Sequence, residues 1–275
     1  MKRLAGALAV LVSFACGVCF AQDGTNAVPE IEWLDGPATG ALARISTLAV
    51  PEGYTFTASE GTRVVMEGFG NVVTGREIGM VFAPSNAWVA VFEFDPIGYV
   101  KDDEKDKLDA AAILKNIREG QARDNERRRS MQLAELEIDG WYKEPFYNEA
   151  THNLEWCTQL REKGSDRPFV NYNIRMLGRH GVTEVTLIAD MDVLADAVPS
   201  LAAVLKDYKY NSGGGYAEYR KGDKIAKYGL TALVAGGAAA VALKSGLLAK
   251  FWKVLVVGAV AVGSFFKRLF GKKDR

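Results

Sequence analysis

Asn171, Asn173 and Arg175 fall at every second position of the stretch FVNYNIRML, so on an extended chain their side chains leave one face together. Two amides beside a guanidinium form a polar set, and the guanidinium fork matches a carboxylate or a phosphate. Glu184, on the next β-prone run, is an acidic neighbour for it, and Glu155 and Gln159 are expected beside it on the run before. Asn171, Asn173, Arg175 and Glu184 are therefore the candidate set for binding a ligand or partner. The competing reading makes them cross-strand hydrogen bonds and a salt bridge on the ordinary solvated face of an antiparallel sheet.

Other chemistry finds less support. The two histidines, His152 and His180, sit beside turn signals, and the odd separation of His152 from Cys157 puts them on opposite faces of a regular strand. Asp102, Asp103, Glu104, Asp106 and Asp109 crowd together without the alternating ligands and central Gly of a calcium loop, and they suit the positive end of a helix. No His, Cys or carboxylate pair has a recognised metal-ligand spacing, so neither a metal nor a cofactor is expected. Gly213 to Gly215 lacks the Lys and helix of a phosphate loop, Arg127 to Arg129 reads as a solvated helix end, and Asp95 and Lys101 around Tyr99 read as shaping a turn. The chain thus reads as a binding or scaffolding protein rather than an enzyme. The alternative, a hydrolase or transferase of the cell envelope using Arg175 with a nearby carboxylate such as Glu184, requires a concave pocket and a carboxyl of raised pKa around them.

The elements that must position this face follow from periodicity. Ile45 and Leu48 lie in a β-prone run that ends at Pro51-Glu52-Gly53, and Ser59 to Gly68 reads as a short helix capped by Ser59. Glu77 to Phe82 and Ala87 to Phe94 read as strands; in the second, Trp88, Ala90, Phe92 and Phe94 alternate with Val89, Val91 and Glu93. Asp109 is a fitting N-cap for a helix to Arg129, with Ile113, Leu114 and Ile117 on its apolar stripe. Leu136 and Ile138, Leu154 to Arg161, Val170 to Met176 and Val185 to Ala189 then read as consecutive strands, and Val193 to Lys206 as a helix whose first turn Pro199 could mark. Short turns between consecutive strands imply an antiparallel meander, so the expected fold is α+β: mainly an antiparallel sheet of about five to seven strands with packed helices, plus C-terminal transmembrane helical segments.

The ends carry a different message. Residues 1–21 have the basic start, apolar run and small-residue end of a secretory signal, which leaves Cys157 as the one cysteine of the mature chain. Residues 22–40 read as a flexible arm, 41–211 as the extracytoplasmic domain and 212–227 as a linker. Residues 228–266 read as a membrane anchor, either one span with an interfacial helix or a hairpin of two short spans, and 267–275 as a basic tail. The tail favours a cytoplasmic C-terminus, with the main domain on the periplasmic or extracellular side of a bacterial cytoplasmic membrane. Ala232, Gly236 and Ala240, at four-residue spacing, offer a face for self-association. With 34 basic and 34 acidic side chains in 275 residues, no basic stripe points to nucleic acid. The expected partners are the lipid bilayer and another envelope protein or a cell-wall component.

Phe92-Glu93-Phe94 with GYVKDDEKDKLDA, Asn125-Glu126-Arg127-Arg128, Gly140-Trp141, Leu154 with Trp156, NYNIRMLGRHGV and AKYGLTALVAGGAAAVALKSGLLAK run in order along the chain. Together they resemble a family of bacterial membrane-anchored proteins of unknown function, over nearly the whole mature chain. The resemblance implies a secreted domain with a C-terminal anchor and supplies no activity. The chain departs from it after Gly140-Trp141, where Tyr142-Lys143-Glu144-Pro145-Phe146-Tyr147 replaces an expected proline-rich approach to the aromatic.

Overall fold

The structure, a computed structural model, describes residues 30–235. The expected signal, the first part of the arm, most of the expected anchor and the basic tail lie outside the described residues. The fold is α+β and is built on one large antiparallel sheet. Its strands are β1 (Leu34–Asp35), β4 (Thr55–Ala58), β5 (Glu77–Phe82), β6 (Trp88–Asp95), β7 (Leu136–Asn148), β8 (Asn153–Glu162), β9 (Pro168–Leu177) and β10 (Val182–Asp190), in the spatial order β1-β4-β5-β6-β10-β9-β8-β7. A second sheet of three strands joins β2 (Ala38–Leu42), β3 (Ser46–Val50) and β11 (Lys209–Tyr210) in the order β11-β3-β2.

The strand count exceeds the expectation because the additional strands, β1, β2, β4 and β11, run for five residues or fewer, too short for a period of two to stand out. Two boundaries move for related reasons. The domain begins within the expected arm, since β1 pairs with β4 and β2 with β3. The Tyr142 to Tyr147 segment is part of β7, whose register shifts at three places to carry Gly140 and Pro145 in an edge strand.

The two faces of the large sheet are covered differently. On one face, even-numbered residues of β6 such as Ala90 and Phe92 meet Leu42, Leu48 and Val50 of the small sheet and Leu194, Ala197 and Leu201 of α3 (Leu194–Leu205). Pro199 lies inside α3 and not in its first turn. On the other face, α1 (Ser59–Gly68) lies over the β4–β5 side and α2 (Ala110–Ser130) over the β7 side. Ser59 is the first residue of α1 and not its cap; Ala58 holds that position without a side-chain bond, and the Thr62 hydroxyl donates back to the Ala58 carbonyl at 2.9 Å. Asp109 does cap α2, accepting from Ala112 N at 2.9 Å.

The expected linker is strapped to the sheet. Arg179 donates from Nε and Nη2 to the two carboxylate oxygens of Asp223 at 2.7 and 2.8 Å, and Tyr99 stacks between Tyr216 and Tyr219 with centroids 4.6 and 4.4 Å away. The guanidinium holds the Asp223 carboxyl down at about 2. The strap feeds α4 (Leu230–Val234), the start of the expected anchor, where Leu230, Leu233 and Val234 are buried with Ile113, Leu154 and Trp156. The Glu104 carboxylate accepts from Thr231 N at 3.0 Å at the start of this helix. Among the described residues no helix is long and apolar enough to cross a membrane.

The side chain of Asn125 closes part of the β7 edge: its Nδ2 donates to the Leu136 carbonyl at 2.8 Å and its Oδ1 accepts from Leu136 N at 2.9 Å. A buried amide thus does the work of a further strand at this position. Asn125→Ala orphans both backbone groups and is expected to lower stability by about 1–3 kcal/mol. Urea unfolding of the full chain measures this, and a loss below about 0.5 kcal/mol, the scatter of surface substitutions, would show that water replaces the amide freely.

Candidate functional site

Register decides which predicted residues meet. Glu184 stands opposite Arg175 on β9 and opposite Glu93 on β6, while Asn173 stands opposite Thr186 and Asn171 opposite Ile188. All therefore share the face that α1 and α2 partly cover. On β8, however, Asn173 is opposite Trp156 and Asn171 is opposite Thr158. Glu155 and Gln159 point to the other face, where Glu155 Oε2 accepts from the Tyr172 hydroxyl at 2.6 Å. The expectation for these two fails by one residue of register, which flips a side chain to the opposite face.

The face is also drier than a solvated sheet. Asn173 and Arg175 are each 9% exposed. Arg175 Nη2 lies 3.2 Å from Glu184 Oε2, and its guanidinium sits 4.7 Å from the Trp156 ring centroid, a cation–π arrangement. Asn173 donates to the Asn171 carbonyl at 3.0 Å and accepts from the Thr186 hydroxyl at 3.2 Å. Arg175 is thus occupied by the fold itself, and its fork is not free for a ligand.

Glu184 belongs to a wider network. Arg76 Nη1 lies 3.4 Å from Glu184 and 3.6 Å from Asp95, and its Nη2 lies 3.5 Å from Glu93. The Thr74 hydroxyl is 2.9 Å from Glu77 Oε1 and 3.0 Å from Glu93 Oε1. One hydroxyl carries one proton, so at any moment it serves one of the two carboxylates. Burial pushes the Glu93 carboxyl up, and the Glu184 carboxylate adds to this against the pull of Arg76. Burial also raises Glu77, but donors from Thr74 and Gly75 outweigh it and hold that carboxyl below its usual range. Glu93 was visible in the alternation of β6. Arg76 and Thr74 sit in an irregular segment before β5, where no period marks them.

Beside this network the sheet face opens into a cavity of about 330 Å³. Met66 of α1 and Phe69 just after it form one wall, Met80, Val89, Val91 and Ile188 the floor, and Phe169 with Leu136 the far side. Arg128, Glu162, Arg167 and Asp190 line it with charge. Of the four predicted residues, Asn171 alone lines this cavity; Asn173, Arg175 and Glu184 lie farther along the same face. Asn171 Oδ1 and Arg175 Nε are closed from solvent without a hydrogen-bond partner among the described residues. The cavity is what three helices crossing different parts of the sheet leave uncovered, which no local pattern announces.

The remaining candidates disperse. Cys157 is buried on the other face among the residues of the main core, and burial pushes its thiol up to about 12. His152 is exposed in the β7–β8 turn, with Nδ1 3.2 Å from the Tyr147 hydroxyl, which donates to Asp102 at 2.9 Å. Asp95 Oδ2 accepts from the Tyr228 hydroxyl at 3.3 Å and makes no cluster with Lys101. The acids around Asp102 are spent on Tyr147, on the starts of α2 and α4, and around a Lys105–Glu149 pair at 2.7 Å. Among the described residues no three His, Cys, Asp or Glu side chains converge as metal ligands.

Glu93 gives this network a pH signature. A carboxyl raised in the folded state contributes stability that is fully present below the unfolded value, about 4.3, and is lost as pH rises through the folded value. Glu93→Gln removes the ionisation, so the variant is expected to match the natural chain near pH 4 and to exceed it in melting temperature near neutral pH. A variant less stable than the natural chain near neutrality would show that the Arg76 attraction, and not burial, governs Glu93.

No curated protein matches the sequence. Among solved structures, the chain is similar to the solution structure of cyanobacterial PsbP (CyanoP) from Synechocystis sp. PCC 6803, at 9% identity, over 71% of this chain and 100% of that one, with a TM-score of 0.36. That likeness is too distant to bear on function. The family model described as "protein of unknown function (DUF2167)" matches residues 35–265, most of the length of the chain, and the chain belongs to that family.

Proposed function

We propose that this protein is a non-enzymatic binding module of the bacterial envelope, held at the outer face of the cytoplasmic membrane and engaging its ligand or partner through the cavity between α1 and the C-terminal end of α2. One observation carries the binding reading: the cavity has an apolar floor and a charged rim, while the charges beside it neutralise one another within the fold. Nucleophile, base and metal ligands do not converge on it among the described residues. The location is supported by the signal-like residues 1–21, the apolar runs of 228–266 and the basic residues after them. In this reading the bilayer is one partner, another envelope protein or a cell-wall component is the other, and Ala232, Gly236 and Ala240 offer a contact between copies.

A second reading, a hydrolase or transferase acting through Arg175 and a carboxylate, draws support from the raised Glu93 carboxyl next to Glu184. Against it, neither Arg175 nor Glu184 lines the cavity.

Both halves of the proposal can be tested in intact cells. Cys157 is buried and a poor thiolate, so it gives a silent background, and Met131, 49% exposed, is a site for an added thiol. Met131→Cys is expected to react with a membrane-impermeant maleimide in spheroplasts; reaction only after lysis would place the domain inside and overturn the location. A photoreactive residue in place of Phe169 is expected to give a discrete adduct whose added mass is that of one intact bound molecule. An added mass of a converted molecule that disappears when Glu93→Gln is combined with the photoreactive residue would move the assignment to the enzyme.

A further inference from the structure

The binding reading can be taken one step further, to the kind of molecule bound, and the step rests on that reading. At the mouth of the cavity stands Arg128, from the last turn of α2. The hydrogen bond its side chain makes among the described residues goes from Nε to the Ala134 carbonyl, which holds the guanidinium in place. Among the described residues its Nη atoms, unlike those of Arg76 and Arg175, meet no carboxylate within salt-bridge reach, and the Glu162 and Asp124 carboxylates act on it through space. Burial lowers the Arg128 pKa, the opposite of what a well-paired arginine shows. A partly buried guanidinium with unspent donors at the edge of an apolar cavity is a seat for an anion.

The other charges narrow the choice. Glu162 and Asp190 face the same cavity, and Arg167 stands near them, so the lining as a whole is balanced. A bare, multiply charged anion would meet repulsion there. A head that joins one anionic group to hydroxyl or ammonium donors meets Arg128 with the first and Glu162 with the second. Below the mouth, Val89, Val91, Met80 and Ile188 offer apolar contact. A volume of about 330 Å³ lies at the small end of ligand sites, which suits one chain and excludes two.

We infer that the cavity takes a single-chain amphiphile whose anionic head, a phosphate or carboxylate, is seated on Arg128 while its chain lies on the Val89–Val91–Ile188 floor.

The test uses the full chain in lipid nanodiscs with two photoreactive probes that share a diazirine-bearing dodecyl chain, one with a phosphomonoester head carrying a hydroxyl and one with a maltoside head, and maps adducts by mass spectrometry. The phosphate probe is expected to label peptides carrying Met80 and Phe169 about tenfold more than the maltoside probe, the worth of a charge-assisted pair. Arg128→Gln should bring the two probes level, and Ile188→Trp, which fills the floor, should abolish labelling by both. Raised salt should weaken the phosphate probe alone in the natural chain, which reads the same contact without a variant that could misfold. Equal labelling by both heads in the natural chain would overturn the head-group assignment while leaving the cavity as a binding site. Labelling by neither, or labelling that Ile188→Trp leaves intact, would overturn the cavity as the site and the binding reading with it.

Discussion

Two carboxylates meet head-on in the middle of the large sheet: Glu93 on β6 is the register partner of Glu184 on β10. Like charges directly opposite each other on a sheet are destabilising, and on a half-covered face the cost grows as water is removed. The fold answers from two directions. Arg175 comes across from β9, and Arg76 reaches over from the segment before β5 to touch Glu93, Asp95 and Glu184 at once. Neither arginine suffices alone, because a buried pair that loses one partner leaves an uncompensated charge. The position of β5 beside β6 and that of β9 beside β10 are therefore tied to the same charge balance.

This balance shapes what the face can do. With both arginines committed, the polar centre of the sheet resembles a closed circuit more than a receptor, and Asn173, bonded on both sides, extends it. Openness appears instead where the network stops. Across β10 and β6 from Asn171 and Asn173 the face turns to Ile188, Val89 and Val91, and the nearest helices, α1 and the end of α2, leave a cavity over it. A sheet eight strands wide has more face than two short helices and one long one can cover, and the uncovered part is the cavity.

Legibility followed the range of the forces involved. Elements that announce themselves locally were readable: the alternation of β6, β8, β9 and β10, the Asp109 cap of α2 and the helix read over Val193 to Lys206. The Asn171, Asn173, Arg175 set was readable as one face because a strand fixes that by itself. What surrounds it was not, because neighbours across strands depend on register, and one residue of slip exchanges Glu155 and Gln159 for Trp156 and Thr158. Arg76 reaches Glu184 across 108 residues of sequence, and nothing in its own segment records that destination. The strap over residues 212–227 looked loose because glycines dominate its start, yet Asp223 and the tyrosines around Tyr99 tie it down.

The strap also changes what an apolar stretch at the end of a domain means. Leu230, Leu233 and Val234 open a run that composition alone assigns to a bilayer, and here they fill the core beside Trp156 and Ile113. The short helix α4 is consequently held by packing, by the Glu104 carboxylate on Thr231 N, and by the Tyr228 hydroxyl on Asp95 just before it. Asp95 is in turn within reach of Arg76. The carboxylate balance at the centre of the sheet and the start of α4 are thus connected through Tyr228, Asp95 and Arg76.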